Sequence, residues 1–576
     1  MKDERARSRA DAWAAALAGL VAGAVALGVG QLAAGLIDPG AAPVIVVGDA
    51  TVDRTPQALK DWAIRTFGTN DKIVLIGGIV VVLALVAAGL GILARRRPGL
   101  ATAGLLLFGL VGAVAASTRP DSGPLDVLPS VVGAAVGAWA LRLIVRRAWP
   151  TGYREPVPAA VGHGAAAARD GDGGASARDE HAPGDGAQST GGRGEGAAGD
   201  GREKAAERHP AVMRAGGQLH EFDRRGLLTG VVAGVAVAGV AGLAGRGLAG
   251  RLEVDTERAK IALPRPAKPL RPIPAGADLR LKDLSPFVTP NRDFYRIDTA
   301  LVLPQVDPKT WKLKIHGMVD RPIELTYDQL LRRPLMEADV TLTCVSNDVG
   351  GPYIGNARWL GASLADILRE AGIRSGADML LSTSTDGWTS GTPVDVAMDG
   401  RDALLAIAMN GEPLPLAHGF PVRQVVPGLY GYVSATKWIT EIKVSRYDQE
   451  EAYWTERGWA PKGPIKTESR IDLPRGGSTI RAGRTQIAGV AWAQHKGIDA
   501  VEVRVDKGPW RQARLAQVPG VDTWRQWVVD DWDATPGDHT IEVRATDATG
   551  YTQTPDYAPV IPDGASGWHS ILVVVK

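Results

Sequence analysis

Four long apolar runs near the start of the chain constrain its fold more than any other feature of the sequence. They cover residues 12–37, 73–94, 99–117 and 127–145, and they are almost free of charged residues. About 20 apolar residues in a helix cross a hydrocarbon layer, so each run is long enough. A secretory signal peptide would explain only the first run. The runs predict a four-helix transmembrane region over residues 1–150.

Basic residues cluster at particular ends of these runs. They precede the first run, separate the second from the third at residues 95–97, and close the fourth at residues 142–147. Cytoplasmic loops of membrane proteins are enriched in Lys and Arg. We therefore expect these ends in the cytoplasm, to which four crossings return the chain.

Two further segments separate this region from the rest of the chain. Residues 151–222 consist largely of Gly, Ala, Asp, Arg, Glu and Ser, which predicts a disordered cytoplasmic linker. Residues 223–249 combine Arg224 and Arg225 with two leucines and a fifth apolar run. This order resembles a twin-arginine export signal and predicts a fifth transmembrane helix. Everything beyond residue 250 would then lie outside the cytoplasm, at the cell membrane.

Composition excludes several classes of function. The 65 basic and 63 acidic side chains leave a net charge of +2, which provides no strong field for nucleic acid. The single cysteine, Cys344, excludes an intramolecular disulfide and a CxxC redox motif. None of the five apolar runs contains His or Met, so we predict no haem in the bundle. The bundle is then an anchor or a docking surface for a separate electron carrier.

The part of the chain beyond residue 250 changes to a soluble pattern. A Pro-rich tether covers residues 250–283, and residues 284–445 alternate β-like with helix-like runs, which indicates an α+β domain. The expected strands and helices here are Trp311–Ile315, Tyr327–Leu331, Val340–Leu342 and Leu364–Ala371.

Alternating apolar and polar residues mark the C-terminal region as β-rich. Val501, Val503 and Val505 alternate with charged residues, as do Ile541 and Val543. Residues 446–576 therefore predict an all-β immunoglobulin-like sandwich. Its many tryptophans are expected in core and interface positions.

Seven sequence blocks occur in a fixed order between residues 284 and 576. They are Asn291–Arg296, Cys344–Asn347, Ile354–Gly361, Met409–Pro415, His418–Arg423, Pro427–Gly428 and Lys437–Trp438. Together they resemble the sulfite oxidase family of molybdopterin enzymes, which includes sulfite oxidases, assimilatory nitrate reductases and periplasmic methionine sulfoxide reductase. The resemblance implies an α+β molybdopterin-binding domain, a Mo-molybdopterin cofactor with one pyranopterin dithiolene, and a C-terminal dimerisation domain, hence a homodimer.

The resemblance also implies roles for individual residues. Cys344 would be the single protein ligand of molybdenum, and a soft thiolate suits that metal, although a lone cysteine is commonly a small buried hydrophobe. Arg296 would contact the substrate. The residues that would hold the cofactor are Asn291, Phe294, Tyr295, Cys344, Thr383, His418, Arg423, Ser434, Thr436 and Lys437.

Two departures from the family pattern concern the substrate. Ile297 and Asp298 replace an Asn-His pair, so Asp298 could neutralise Arg296. Trp459 aligns with the active-site tyrosine of sulfite oxidases, and it would either line the pocket, with a catalytic role, or pack in the domain seam. Both changes favour a small substrate less charged than sulfite.

The sequence is compatible with two classes of function, an enzyme and a binding protein. The leading hypothesis is a membrane-anchored molybdopterin oxidoreductase that transfers oxygen to or from a small oxyanion or sulfoxide, oxidising sulfite or reducing a sulfoxide. No haem-domain, flavin or nicotinamide motif is visible, so electrons would pass through a separate carrier. The alternative from another class is a membrane-anchored binding or adhesion protein whose cofactor domain is degenerate.

Overall fold

The computed structural model describes residues 2–56, 71–119, 122–149, 223–251 and 254–576, and a few positions between 57 and 70. The predicted linker, residues 151–222, lies outside the described residues. The N-terminal helices are α1 (Lys2–Ile37), α2 (Pro43–Arg54), α3 (Asp71–Arg96), α4 (Pro98–Ser117), α5 (Leu128–Ala148) and α6 (Arg224–Arg251). In the described residues five of them, all but α2, are long and apolar enough to cross a membrane, which confirms the five predicted apolar helices.

Small residues let the five long helices pack closely. A Cβ at Gly19 of α1 would lie 2.0 Å from the Ala87 carbonyl oxygen of α3, and one at Gly91 would lie 2.1 Å from the Ala15 carbonyl oxygen. Helix association in lipid depends on such close backbone contact, because lipid provides no hydrophobic drive between helices. Glycine is therefore required at both positions.

The contacts also fix the helix directions. Gly28 and Gly35 of α1 lie against Ala238 and Gly245 of α6 in the same order, so these two helices run parallel. Helices α3 and α5 contact α1 in reversed order and are antiparallel to it: the paired positions are Ala15 with Gly91 and Gly23 with Ala87 for α3, and Ala22 with Gly137 and Gly30 with Gly133 for α5. The basic residues 95–97 and 142–147 consequently share one end of the bundle with Arg224. The opposite end, where α1 and α6 finish, is here named the distal end.

The last residue of α5 and the residue before α6 meet at the basic end of the bundle. The Asp223 amide donates to the Ala148 carbonyl oxygen at 2.8 Å, and the Asp223 carboxylate accepts from the Arg225 amide at 2.9 Å. This second contact satisfies a free N–H at the start of α6.

The α+β domain follows the distal end, after the short helix α7 (Val254–Ala259). The Pro-rich tether packs on the folded domains: the Ala267 amide donates to the Leu335 carbonyl oxygen at 2.8 Å, and the Leu279 amide donates to Gln526 Oε1 at 2.6 Å. Residues 260–283 are thus part of the folded body and differ from a free spacer.

Two sheets and four short helices build the α+β domain. The strands are β1 (Lys312–Gly317), β2 (Ile323–Thr326), β3 (Leu335–Thr343), β4 (Ile354–Ser363), β5 (Met379–Ser384), β6 (Thr389–Pro393), β7 (Leu404–Met409), β8 (Glu412–Pro413), β9 (Arg423–Val425) and β10 (Ile439–Ser445). The helices are α8 (Tyr327–Leu331), α9 (Leu364–Ala371), α10 (Val394–Met398) and α11 (Gly431–Ser434). One sheet has the order β2-β1-β10-β5-β6 and the other β3-β4-β7-β8, with β9 also paired to β7. The predicted α+β composition is confirmed.

The C-terminal region consists of two sheets around one core. Its strands are β11 (Glu468–Leu473), β12 (Thr479–Ile480), β13 (Gly483–Trp492), β14 (Ile498–Val505), β15 (Arg511–Gln512), β16 (Arg514–Leu515), β17 (Arg525–Ala534), β18 (Gly537–Asp547) and β19 (His569–Val575). The sheet orders are β11-β13-β17-β16 and β12-β19-β18-β14-β15. Buried Val501 and Val543 from one sheet pack with Ile487 and Trp527 from the other. The predicted strands are confirmed, and the immunoglobulin-like topology stays a prediction.

Residues of the C-terminal region form hydrogen bonds with the end of β3 and with the segment beside it. Gln494 Nε2 donates to the Thr343 hydroxyl at 3.0 Å, and the Trp524 amide donates to the Thr341 hydroxyl at 2.8 Å. The Trp524 indole N–H donates to the Phe287 carbonyl oxygen at 2.9 Å. These buried hydrogen bonds fix the point at which the chain leaves β3 for Cys344.

Candidate functional site

The sulfur of Cys344 lies on a short loop directly after β3. The Cys344 amide donates to the Tyr353 carbonyl oxygen at 3.0 Å, and Asn347 Oδ1 accepts from the Tyr353 amide at 2.7 Å. The Ser346 amide donates to Cys344 Sγ at 3.4 Å. Burial raises the pKa of the Cys344 thiol, and the Ser346 hydrogen bond and the Lys437 charge oppose that rise. A thiolate here would be stabilised by the hydrogen bond from the Ser346 amide and by the positive charge of Lys437.

Gly419 brings three predicted cofactor residues together. Its φ of 104° lies in the left-handed region, and a Cβ there would lie 3.0 Å from Lys437 Cα and 3.1 Å from Arg423 Cβ. Only glycine combines that conformation with such close neighbours at little cost. The loop that carries His418 can therefore lie directly against Arg423 and Lys437.

Arg423 is a buried cation without a carboxylate partner among the salt bridges of the described residues. Its Nη1 donates to the His418 carbonyl oxygen at 3.2 Å and its Nη2 to the Ala435 carbonyl oxygen at 3.4 Å. Its Nε has no hydrogen-bond partner in the described part of the chain, and its guanidinium lies 5.0 Å over the Trp359 ring. Burial lowers the pKa of Arg423 to about 10. A buried, unpaired guanidinium is suited to an anionic ligand.

His418 is held neutral beside this cation. Burial first, and Arg423 second, lower the pKa of His418 to about 4. Its Nε2 lies 3.0 Å from the Asn291 carbonyl oxygen, which can only accept, so Nε2 carries the proton. Nδ1 of the imidazole then remains an acceptor.

The entry segment, residues 291–296, lies on the other side of His418. Asn291 Nδ2 donates to the Met409 carbonyl oxygen at 3.2 Å. The Phe294 ring contacts Tyr295 at 5.3 Å and the edge of His418 at 5.5 Å, measured between centroids. Burial raises the pKa of Tyr295, and the charges of Cys344 and Arg423 act on it in opposite directions. The phenol therefore stays protonated near the cysteine and can donate a hydrogen bond.

Asp298 bridges two cations at the site. Its Oδ2 lies 2.8 Å from Arg296 Nε and 2.7 Å from Lys437 Nζ. The Asp298 side chain is only 4% exposed. Burial lowers the pKa of Lys437 to about 8, and Asp298 opposes that change. The expectation that Asp298 pairs with Arg296 is confirmed, and the structure adds Lys437 to the pair.

The remaining predicted residues are engaged within the protein. The Ser434 hydroxyl lies 3.0 Å from the Leu429 carbonyl oxygen, and the Thr436 hydroxyl lies 2.7 Å from that of Ser390. Thr383 is half-buried on β5. Trp459 is 5% exposed and packs against other aromatic rings, 6.0 Å from Tyr432 and 6.3 Å from Trp454. A cofactor-binding role for Ser434, Thr436 and Thr383 stays a prediction, and so does a catalytic role for Trp459 in the substrate pocket.

Sequence reasoning missed two polar groups near the site. Asn347 Nδ2 is buried and has no hydrogen-bond partner among the described residues; its place three residues after Cys344 was a signal that could have been used. Asp386 lies near Asp298 and Lys437, and burial raises its pKa. No local pattern indicates Asp386, because its position depends on the pairing of β5 with β10.

The residues present fit a molybdopterin cofactor. The described residues contain no cluster of three or more His, Cys, Asp or Glu side chains for a metal, so a metal here would depend on one thiolate and a non-protein ligand. Cys344 would ligate molybdenum, and Arg423, His418 and Lys437 would hold the polar and anionic parts of the pterin. The cofactor, when bound, supplies two-electron oxygen-atom transfer.

Comparisons with known proteins agree with this geometry. Residues 300–454 match the family model described as "Oxidoreductase molybdopterin binding domain". Mitochondrial sulfite oxidase of Rattus norvegicus is 32% identical over 274 residues, which cover 40% of this chain and 49% of that protein. The "Uncharacterized oxidoreductase YuiH" of Bacillus subtilis is 32% identical over 188 residues, covering 32% of this chain and 91% of that protein.

The crystal structure of the sulfane dehydrogenase SoxCD from Paracoccus pantotrophus aligns over 50% of this chain and 82% of its own, with 23% identity and a TM-score of 0.44. The chain spans about half the length of the rat sulfite oxidase. It covers nearly the whole of YuiH at 32% identity. From the family match and these relatives, the chain belongs to the sulfite oxidase family of molybdopterin-dependent oxidoreductases.

Proposed function

We propose that this protein is a membrane-anchored oxidoreductase that transfers an oxygen atom at molybdenum between water and a small oxyanion or sulfoxide, exchanging electrons with a separate carrier. The observation that carries the proposal is the arrangement around Gly419, where Arg423, buried and without a carboxylate partner among the described residues, lies with neutral His418 and with Lys437, whose charge acts on the Cys344 thiol. A thiolate, a cation without a carboxylate and a neutral imidazole are the groups that an anionic metal-pterin complex requires.

The charge balance at the site favours a dipolar substrate over a dianion. Asp298 lies within 2.8 Å of both Arg296 and Lys437 and cancels one of their two charges. A sulfite or sulfate dianion would meet this carboxylate, whereas a sulfoxide oxygen needs only a hydrogen-bond donor. We therefore propose sulfoxide reduction ahead of sulfite oxidation.

The experiment is an assay in both directions with the full chain purified in detergent. Sulfoxide would be reduced with a reduced viologen dye, and sulfite would be oxidised with ferricyanide. We expect about one molybdenum atom per chain, because the site has a single protein thiolate. Cys344→Ser should abolish turnover and retain the pterin, measured as the fluorescence of the oxidised pterin released on denaturation. Active protein without molybdenum would overturn the proposal, and absence of pterin would favour the binding-protein alternative.

We also propose that the oxidoreductase domain faces outward. The basic residues and the oxidoreductase domain lie at opposite ends of the bundle, and loops rich in Lys and Arg favour the cytoplasm. Arg224 and Arg225 begin α6, the position that a twin-arginine signal would take before the last span. A homodimer through the C-terminal sheets is a further part of this proposal, and it is supported by the family resemblance.

A further inference from the structure

A large cavity lies where the distal end of the bundle meets the oxidoreductase domain. Its volume is about 1160 Å³, and its walls come from α1, α2 and α4 on one side and from residues 299–305 and 385–388 on the other. Leu301 contacts the bundle directly, since a Cβ at Gly48 of α2 would lie 2.6 Å from Leu301 Cδ1. The cavity therefore depends on both halves of the chain.

The wall of this cavity adjoins the candidate active site. Residues 299–305 directly follow Asp298, which pairs with Lys437. The Thr385 amide and hydroxyl donate to the Trp438 carbonyl oxygen at 2.9 Å and 3.0 Å. Both segments of the domain that line the cavity are therefore connected to residues next to Lys437: residues 299–305 through Asp298, and residues 385–388 through the bond from Thr385 to Trp438.

The walls combine apolar and aromatic groups with charged groups of both signs, and the carboxylates include those of Glu257 and Asp307. Ile37 and Ile45 line the bundle side, and Val302 lines the domain side. Trp388 and Arg457 also line the cavity, and the Arg457 guanidinium lies 3.6 Å over the ring of Tyr453. Such a mixture suits a flat ring with hydrogen-bonding oxygens and a hydrocarbon tail.

The bundle itself offers no haem ligation by the usual residues. The five spans contain no His or Met, which are the common axial ligands from helices. Electrons from the membrane would then be delivered by a lipid-soluble carrier that binds at the end of the helices. The cavity lies at that end.

We propose that this cavity binds a membrane quinol that delivers the electrons for the reaction at the Cys344 site. The inference rests on the proposed function and names its electron carrier. The quinol loses two electrons and two protons and becomes the quinone. In the substrate the bond to oxygen breaks, and that oxygen leaves with two protons as water, so one quinol and one oxo substrate give one quinone, the reduced substrate and one water.

The test uses the full chain, loaded with cofactor and purified in detergent. Val302→Trp adds an indole to the cavity from a side chain that is 39% exposed, and Val521→Trp makes the same change at a 48% exposed position in the C-terminal domain. We expect Val302→Trp to lower sulfoxide reduction by a short-chain naphthoquinol at least tenfold and to leave viologen-dependent reduction within twofold of the parent. Val521→Trp should change neither rate.

Binding of the quinone is measured separately from turnover. A short-chain azido-naphthoquinone should label residues 299–305 or 385–388 on illumination, and Val302→Trp should remove the labelling. Equal quinol-dependent rates in both variants, or labelling confined to the lipid-facing side of α3, would overturn the inference. A bound phospholipid that the quinone does not displace would also overturn it. Absence of viologen-dependent turnover in the parent protein would instead contradict the proposed function.

Discussion

The carboxylate of Asp298 sets the charge beside Arg296 and Lys437. Asp298→Asn would remove one negative charge from between Arg296 and Lys437, so we expect sulfate to inhibit the enzyme more strongly. A charge within a few ångströms at a partly buried site changes the affinity for an anion by roughly tenfold or more. The measurement is the inhibition constant of sulfate against sulfoxide reduction, with the KM of the neutral sulfoxide little changed.

Asp293→Asn provides a matched control for that prediction. Asp293 lies in the same segment, pairs with Arg292 at 3.4 Å and is 56% exposed, so its charge is screened by solvent. A fall in the sulfate inhibition constant of the same size in Asp293→Asn, or no fall in Asp298→Asn, would contradict the charge argument.

At the level of residues, the sequence identifies candidate site residues but not their arrangement. Cys344, His418 and Arg423 were predicted from their blocks, and the structure gathers His418, Arg423 and Lys437 around Gly419. The double pairing of Asp298 could not be predicted, because Lys437 reaches it only after β10 has paired with β5. Gln494 and Trp524, which fix the end of β3, come from another domain and leave no local signal.

Among the elements, local capping explains why some helices were predicted to the residue. Helix α9 begins after Ser363, whose hydroxyl accepts from the Asp366 amide, and ends before Gly372 at a φ of 72°. Both are strong local signals. The short helix α2 was missed, since its 12 residues are too few to span a membrane and follow the first apolar run closely.

The contact between α1 and α3 leads to a prediction about the bundle. Gly91→Leu would place a side chain where a Cβ already lies 2.1 Å from the Ala15 carbonyl oxygen, whereas a Cβ at Gly89 has nothing within 4 Å. We expect Gly91→Leu to destabilise the bundle by about 1–3 kcal/mol, the usual cost of overpacking. The melting temperature in detergent measures this, and Gly89→Leu should match the parent. Equal losses in the two variants would indicate that the contact does not matter.

A histidine on β19 makes the C-terminal sheets sensitive to acid. His569 Nδ1 accepts from the Ile471 amide at 2.9 Å, and burial, followed by the Arg470 charge, lowers the pKa of His569 from 6.5 to about 4. Above pH 6.5 the imidazole is neutral in both folded and unfolded chains. Between pH 6.5 and 4 only the unfolded chain takes up the proton, so stability falls as the pH falls, by roughly 2–3 kcal/mol in total.

The thermal midpoint of the full chain between pH 7 and pH 4 measures this loss. His569→Asn keeps an acceptor for the Ile471 amide and does not titrate, so its midpoint should fall less over the same range. His539→Asn is the control, since His539 pairs with Asp506 and its pKa is raised rather than lowered. Parallel curves for the parent and His569→Asn would contradict the assignment.

For the whole molecule, we predict that the basic end of the bundle and the oxidoreductase domain lie on opposite sides of the membrane. Cys344 is the only cysteine, so a second one can be labelled selectively. In intact cells a membrane-impermeant maleimide should label Glu412→Cys in the oxidoreductase domain and should not label Gly99→Cys at the basic end of the bundle. Both positions are exposed. Labelling of Gly99→Cys alone would reverse the proposed orientation.

The hydrogen bond between the Asp223 amide and the Ala148 carbonyl oxygen permits an insertion between α5 and α6. Although residues 149–222 separate them along the chain, the end of α5 and the start of α6 are already neighbours. The length of chain between two such neighbours affects loop-closure entropy only slowly. A foreign folded domain with adjacent termini, such as a fluorescent reporter, could therefore be inserted here, at the end remote from the cysteine, while the helices keep their partners.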